Sequence, residues 1–239
     1  MIPKVIHYCW FGGNPLPEAA QRCIASWKKW LPDYEIRQWD ESNYNVNKIA
    51  YTAQAYERKK WAFVSDYARF DILYREGGLY FDTDVEVIRP LDDIIERGPF
   101  MGMEKNLANP GLGLGVSPGL DLYREILDYY SGLQFVDAEG KQIPGTVVKH
   151  TTDVLKRHGL RDESCIQQVA GVWIYPNDYF NPLDDATGRL YVTPNTRSIH
   201  WYSKTWVSVP PLYTKITRLC HRLFGTGSLR WLKHLLGMK

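Results

Sequence analysis

This sequence of 239 residues has few cysteines and no pairing signature among them: Cys9, Cys23, Cys165 and Cys220 form neither a CxxC nor a metal-finger spacing. Reduced, structural thiols in a cytosolic setting are therefore expected. Long apolar runs are missing too. No window approaches the roughly 18 apolar residues of a membrane span, and the run in MIPKVIHYCWFGG is too short for a secretory core, so a protein that neither crosses a membrane nor leaves the cytosol is expected. Charge of one sign is not in excess. A net charge of +2 with 23% charged residues excludes a disordered composition and gives no electrostatic reason to expect nucleic acid as a partner. There is no GxxxxGK[ST], HExxH or GxGxxG, which removes the usual support for P-loop hydrolysis, zinc proteolysis and hydride transfer. GLGLG at 111–115 reads only as part of a flexible, glycine-rich loop over 101–120. No internal repeat is present.

What the chain does contain is 44% hydrophobic residues, enough for a substantial core, and one domain with a tail is expected. Nine Trp and sixteen Tyr are many for this length, and such rings suit a cleft that stacks bases or sugars. PKVIHYCWFGG reads as a buried strand ending in a glycine turn, EAAQRCIASWKKWLP as a helix with Ile24 and Trp27 on its apolar side, and DYEIRQWDESN as a second strand. That βαβ rhythm predicts a mainly parallel sheet with its ligand crevice at the carboxyl ends of the strands, where Trp10 and Asp40 fall. Residues 51–76 hold neither Gly nor Pro and predict helix up to Gly77 and Gly78. Further helices are expected near 120–132 and 146–158, with short strands separated by Pro, Asn and Gly turns from about 169 onward.

The stretch EGGLYFDTDVEVIRPL, residues 76–91, reads as one buried strand with Leu79, Phe81, Val85 and Val87 on one face and Tyr80, Asp82, Asp84 and Glu86 on the other. Same-face neighbours lie about 7 Å apart, so Asp82 and Asp84 would repel by about 2 kcal/mol at an effective dielectric near 20. A counterion is needed. A lone D-x-D is common in solvated turns, but in a buried strand two carboxylates point to a divalent cation, Mg²⁺ or Mn²⁺, that clamps a diphosphate. On the preceding helix Asp66 and Arg69 share a face and are equally readable as an intrahelical ion pair or as a pair facing the cleft. His200, at the end of a late strand in SIHWYSKTW, is a candidate third metal ligand, and Lys204 and Trp206 sit in the loop that follows.

These residues resemble a known family. IPKVIHYCWFGG, WDESN, AFVSDYARFDILYREGGLYFDTDVEV and the late IHWYSKTW are together similar to glycosyltransferase family 32 and, more distantly, to the glucosylating domains of the clostridial toxins. The resemblance implies a GT-A fold, a Rossmann-like mixed α/β sheet flanked by helices, and a metal-dependent enzyme using a nucleotide-sugar donor, most often with retention. It implies that Trp10 stacks on the base and Asn43 lies near the nucleoside, and that Asp66 and Arg69, with Ser65 and Tyr80, hold the donor sugar. It further implies that Asp82 contacts ribose and the metal's water shell, that Asp84 ligates Mn²⁺ or Mg²⁺, and that His200, Ser203 and Trp206 complete the metal site and close on the diphosphate. ANPGLGLGVSPG and IPGTVVKHTTDVLKRHG follow the family's acceptor-facing pattern only roughly, and no acceptor residue is assigned.

On this reading residues 1–209 form the GT-A domain and 210–239 a basic amphipathic helical tail. No acidic residue follows Asp185, whereas nine Lys and Arg do. Basic residues interleaved with Leu223, Phe224, Leu229, Trp231, Leu232, Leu235 and Leu236 predict an interfacial helix over 212–239 against an anionic cytoplasmic leaflet, or else a helix packed on the domain. The acceptor expected is a saccharide or a lipid-linked saccharide in polysaccharide or capsule synthesis, with a UDP-sugar as the leading donor. Two rivals are a sugar nucleotidyltransferase, disfavoured because WFGGNPLPEAA has no basic residue for a phosphate loop, and a non-catalytic sugar-binding module.

Overall fold

A computed structural model of the chain describes residues 1–203 and 211–226. β1 (Val5–Cys9), α1 (Glu18–Trp30) and β2 (Glu35–Trp39) come first, followed by α2 (Ala50–Glu57), α3 (Trp61–Glu76), β3 (Gly78–Tyr80), β4 (Val85–Val87) and α4 (Asp92–Arg97). Next are β5 (Phe100–Glu104), β6 (Leu107–Val116), α5 (Asp121–Ser131), α6 (Val147–Arg157), β7 (Gln167–Val169) and β8 (Val172–Tyr175). The last elements are α7 (Asn177–Phe180), β9 (Leu183–Asp184), β10 (Arg189–Leu190), β11 (Ser198–His200) and α8 (Pro211–Phe224).

Seven strands form one sheet in the order β2-β1-β3-β6-β5-β8-β7. The pairs β1–β2, β1–β3 and β5–β8 are parallel, while β6 is antiparallel to both neighbours, as is β7 to β8. This is the mixed α/β sheet flanked by helices expected of a GT-A-type domain. β1, β2, β3, β5 and β8 all point the same way, so their carboxyl ends share one edge.

Alternation along the strands divides the core in two. Leu79 and Phe81 pack with Ile6, Tyr8 and Trp27 on the α1 side, whereas Tyr80, Met101 and Met103 face the side covered by α3, α5 and α6. Helix α3 stops where expected: Gly77 and Gly78 take φ values of 65° and 99°, and a Cβ on Gly78 would sit 2.7 Å from the carbonyl oxygen of Val5.

The segment 101–120 departs from the loop expectation. It supplies β5 and the buried central strand β6, whose backbone groups are paired on both sides. Glycine here signals close packing rather than flexibility. A Cβ on Gly115 would lie 2.1 Å from Cε1 of Phe100, so the ring occupies the space a side chain would take.

Where β1, β2 and α3 meet, His7 is fully buried. The Trp39 indole N–H donates to its Nδ1 at 3.0 Å, and an indole can only donate, so Nδ1 is the acceptor nitrogen. Nε2 then carries the proton and donates to the Gly77 carbonyl at 3.0 Å. A second proton would set two donors against each other, and burial holds the imidazole down to about 4 from an ordinary 6.5. The unfolded chain takes up that proton below about pH 6.5 and the folded protein only near pH 4. Stability is therefore expected to fall by about 3 kcal/mol across this window as pH drops. Urea unfolding at pH 7.5 and 4.5 checks this, and an equal pH dependence in wild type and His7→Gln would remove His7 as the cause.

Candidate active site

The expected strand over residues 76–91 is broken where the carboxylates lie. β3 ends at Tyr80, the Phe81 and Asp82 amides still bond to the His7 and Gly111 carbonyls of β1 and β6 at 3.3 and 3.0 Å, and the chain then leaves the sheet in a turn that closes from the Val85 amide to the Asp82 carbonyl at 3.0 Å. β4 then joins β11 in a separate antiparallel pair that brings His200 opposite Val85. The break has a physical cause. The Trp27 indole donates to the Val85 carbonyl at 2.8 Å and Ser26 Oγ accepts from the Val87 amide at 2.9 Å, so β4 is tied to α1 instead of continuing β3. Asp82 and Asp84 thus point into two clusters, each with its own counterion.

The first cluster is built on α3, one turn of which presents Asp66 and Arg69 toward the sheet. Arg69 is 3% exposed; its guanidinium meets Asp66 at 3.1 Å and Asp82 at 3.3 Å, and its Nε donates to the Ser65 carbonyl at 3.0 Å. The structure brings Asp66 and Arg69 together along the helix and adds Asp82 to the pair; the two are 7% and 3% exposed, and neither lines the cavity beside Asp84. Tyr80 donates its hydroxyl to Asp82 at 3.0 Å, and its ring lies 4.9 Å beneath the guanidinium. Burial raises the Asp66 carboxyl to about 7 even though Arg69 opposes the shift. Asp82 also leans on bare backbone: a Cβ on Gly111 would sit 2.1 Å from its Oδ2. Gly111 belongs to the GLGLG run, and no local pattern could have announced that role.

The second cluster surrounds Asp84. The Ser203 amide and hydroxyl donate to its Oδ2 at 2.8 and 3.0 Å, and His200 Nε2 lies 3.2 Å from Oδ1. Burial opposes the charge on Asp84, but the His200 imidazolium and the His200 and Ser203 hydrogen bonds outweigh it and hold the carboxyl at about 2. Burial likewise disfavours the imidazolium, and Asp84 outweighs it to raise His200 above its ordinary value. Nδ1 of His200 is buried without a partner. Among the described residues no three His, Cys, Asp or Glu side chains converge as a ready-made metal centre. The donor set still suits a hard cation, because Mg²⁺ and Mn²⁺ take one or two carboxylates and draw their remaining ligands from water and substrate phosphate.

A cavity of about 450 Å³ opens beside Asp84, lined by Trp10, Arg22, Glu86, Trp201 and Ser203 among others. Trp10 therefore stands at the crevice as expected, its indole N–H donating to the Asn14 carbonyl at 2.6 Å. Asn43 bridges its own loop, accepting from the Asp40 amide and donating to the Gln38 carbonyl, each at 2.9 Å. Ser65 bonds back to the Trp61 carbonyl at 3.0 Å within α3. Lys204 and Trp206 lie outside the described residues. Trp201 was not anticipated; its indole donates to Glu86 at 2.9 Å and pins the segment after β11 to β4.

Residues 17–101, which contain α1, α3 and both carboxylates, match the family described as the glycosyltransferase sugar-binding region containing a DXD motif. This segment is similar to the DXD-containing glycosyltransferases. Two relatives from Schizosaccharomyces pombe are similar to it. Inositol phosphoceramide mannosyltransferase 1 is 28% identical over 111 residues, 42% of this chain and 33% of the relative. Inositol phosphoceramide mannosyltransferase 3 is 35% identical over 106 residues, 39% of this chain and 27% of the relative. The matches thus span about a third or less of these relatives. Among solved structures, the PaToxG glycosyltransferase overlaps 65% of this chain and 68% of its own at 19% identity and a TM-score of 0.48. A glycosyltransferase involved in glycosylation of the major capsid of PBCV-1 overlaps 91% of this chain and 99% of its own at 11% identity and the same TM-score of 0.48.

The glycine turn after β1 gives its Gly12 amide to the Glu41 carboxylate at 2.6 Å. A carboxylate at that amide leaves the turn ill suited to cradle a triphosphate.

Proposed function

We propose that the chain is a metal-dependent glycosyltransferase that moves a sugar from a nucleotide-sugar donor to a saccharide or lipid-linked acceptor, with retention of configuration. The observation that carries the reading is the buried Asp66–Arg69–Asp82 cluster set beside Asp84 at the carboxyl end of β3, inside a segment that matches the DXD family. A UDP-sugar is the leading donor, and the names of the two relatives add a mannosyl donor to those worth testing. Synthesis of a polysaccharide, capsule or glycolipid is the setting this reading favours.

Asp84, with Asp82 and His200, would hold Mn²⁺ or Mg²⁺, which when bound neutralises charge on the departing diphosphate. The protein's own groups do the rest. Asp66 and Arg69 bind sugar hydroxyls, Arg69 keeps Asp82 oriented, Trp10 offers a face to the base, and Ser203 fixes Asp84 through two hydrogen bonds. In the transfer the bond from the anomeric carbon to the diphosphate breaks while the acceptor oxygen bonds to that carbon on the same face, and the diphosphate takes up the hydroxyl proton. Glu41 at the Gly12 amide counts against the nucleotidyltransferase reading. Thermal shift and nucleotide release across UDP- and GDP-sugars with Mn²⁺, Mg²⁺ or EDTA test the proposal. Stabilisation by one donor only when metal is present is expected, and indifference to every donor would defeat it.

The tail extends the proposal to a place in the cell: the cytoplasm, at the inner face of the plasma membrane. Three basic side chains of α8 bond back to the domain. Arg218 pairs with Asp185 at 3.0 Å, His221 Nδ1 meets the Ala186 carbonyl at 3.0 Å, and Arg222 donates to the carbonyls of Thr187 and Gly188. Ile216, Leu219, Leu223 and Phe224 are left 53–74% exposed. Contact with an anionic leaflet would run through this apolar stripe, which includes the expected Leu223 and Phe224; Leu229, Trp231, Leu232, Leu235 and Leu236 lie outside the described residues. Flotation with phosphatidylglycerol vesicles is expected to fall about tenfold in Leu223→Glu/Phe224→Glu. Equal recovery of both proteins would end the membrane reading.

A further inference from the structure

The carboxyl edge of the sheet has a second half. β5 and β8 run in the same direction as β3, so Glu104 and Lys105 after β5 and Asn177 after β8 open on the same edge as the two aspartates. Here α7, the β9–β10 hairpin and α8 enclose a cavity of about 750 Å³, within the roughly 300–1,000 Å³ of small-molecule sites.

The chemistry of its lining is specific. Asn181 is 1% exposed; its Nδ2 donates to the Tyr202 hydroxyl at 2.6 Å, while its Oδ1 is buried with no partner. A buried amide oxygen left bare is costly, and a ligand hydroxyl would satisfy it. Glu104, Asp178, Asp184 and Asp185 face Lys105 and Arg218, and Arg218 is already paired with Asp185. Among the described residues the lining therefore carries more carboxylates than cations, which disfavours an anion and favours a neutral polyol whose hydroxyls add to the bonds these carboxylates already accept. The Tyr191 ring, 56% exposed, offers a face for a sugar's C–H surface.

The cavity also abuts the site described above. Tyr202 lines it and packs at a 45° tilt against His200 with ring centroids 4.1 Å apart, and the next residue, Ser203, holds Asp84. Tyr202 adopts a left-handed φ of 51°, so the chain crosses between the two cavities in a strained conformation that places Tyr202 on one and Ser203 on the other.

We infer that this cavity binds a neutral saccharide, the sugar unit of the acceptor, with α8 as one wall; the acceptor role rests on the glycosyltransferase reading. Saturation-transfer NMR on the full chain, with methyl α-mannoside and methyl β-galactoside as neutral probes and myo-inositol 1-phosphate as the anionic one, tests it. Signal from a neutral glycoside is expected, and it should drop about tenfold both in Thr217→Trp, which fills the cavity from α8, and in Tyr191→Ala, which removes only an exposed ring. No neutral signal in wild type, equal signals in wild type and both variants, or a stronger signal from the inositol phosphate would each overturn the inference. Donor-induced thermal shifts on the same proteins separate the two claims. If no donor stabilises wild type while the glycoside signal still depends on Thr217 and Tyr191, the transferase reading falls and the saccharide site stands.

Discussion

Asp84→Asn is expected to lower sugar transfer by about a thousandfold while leaving the protein folded. The substitution keeps the shape of the side chain and an oxygen for the Ser203 amide and hydroxyl, so the segment after β11 retains its anchor. What it removes is the negative charge facing His200 at 3.2 Å, the charge that a divalent cation would use. The thermal midpoint should fall by a few degrees, since the charge whose partners outweigh its burial is lost and His200 is left without its counter-charge. Turnover measured with saturating donor and Mn²⁺, beside the unfolding midpoint, separates the two effects. A variant that keeps a tenth or more of wild-type turnover, or one whose turnover is the same with EDTA as with Mn²⁺, would take Asp84 out of the metal role.

Arg69→Met is expected to cost about 3–5 kcal/mol of stability, because removing one partner of a buried ion pair leaves the other charges uncompensated. Arg69 is the common partner of Asp66 and Asp82, lies 3% exposed, and gives Nε to the Ser65 carbonyl, so no water stands ready to replace it. For a domain of this size the loss corresponds to a drop of about 10 °C in the unfolding midpoint. Adding Asp66→Asn should recover part of it, since the double variant no longer buries that carboxylate. Calorimetry on wild type and the two variants decides, and a single variant melting within about 2 °C of wild type would show that the cluster is not a structural centre. Transfer activity should be lost in both the single and the double variant, which separates holding the fold from holding the donor.

Much of this was legible along the chain because it depends on local pattern. Apolar spacing announced α1, α3, α5 and α6, the Gly77–Gly78 pair announced the end of α3, and the order of S-D-x-x-R and D-x-D announced a segment similar to the DXD glycosyltransferases. The GLGLG run was opaque for a physical reason. A glycine that accommodates a distant ring or carboxylate has the same local signature as one that loosens a loop, and only Phe100 and Asp82 arriving from other elements distinguish them. Period-two alternation likewise continued through Asp82–Asp84, and nothing local could show that β4 would leave the sheet for β11 and α1.

By itself, then, the sequence determined which residue types stand at the site, the α/β class, and the main helices with the first two strands, all of which follow from side-chain periodicity and capping over spans of a few residues. Tertiary structure alone decided the pairing of charges: Arg69 for Asp82, His200 and Ser203 for Asp84, and the hairpin carbonyls for the basic residues of α8. Electrostatic partners are chosen by distance and burial in space, and residues 84 and 203, separated by 119 positions, become neighbours only when β4 and β11 pair.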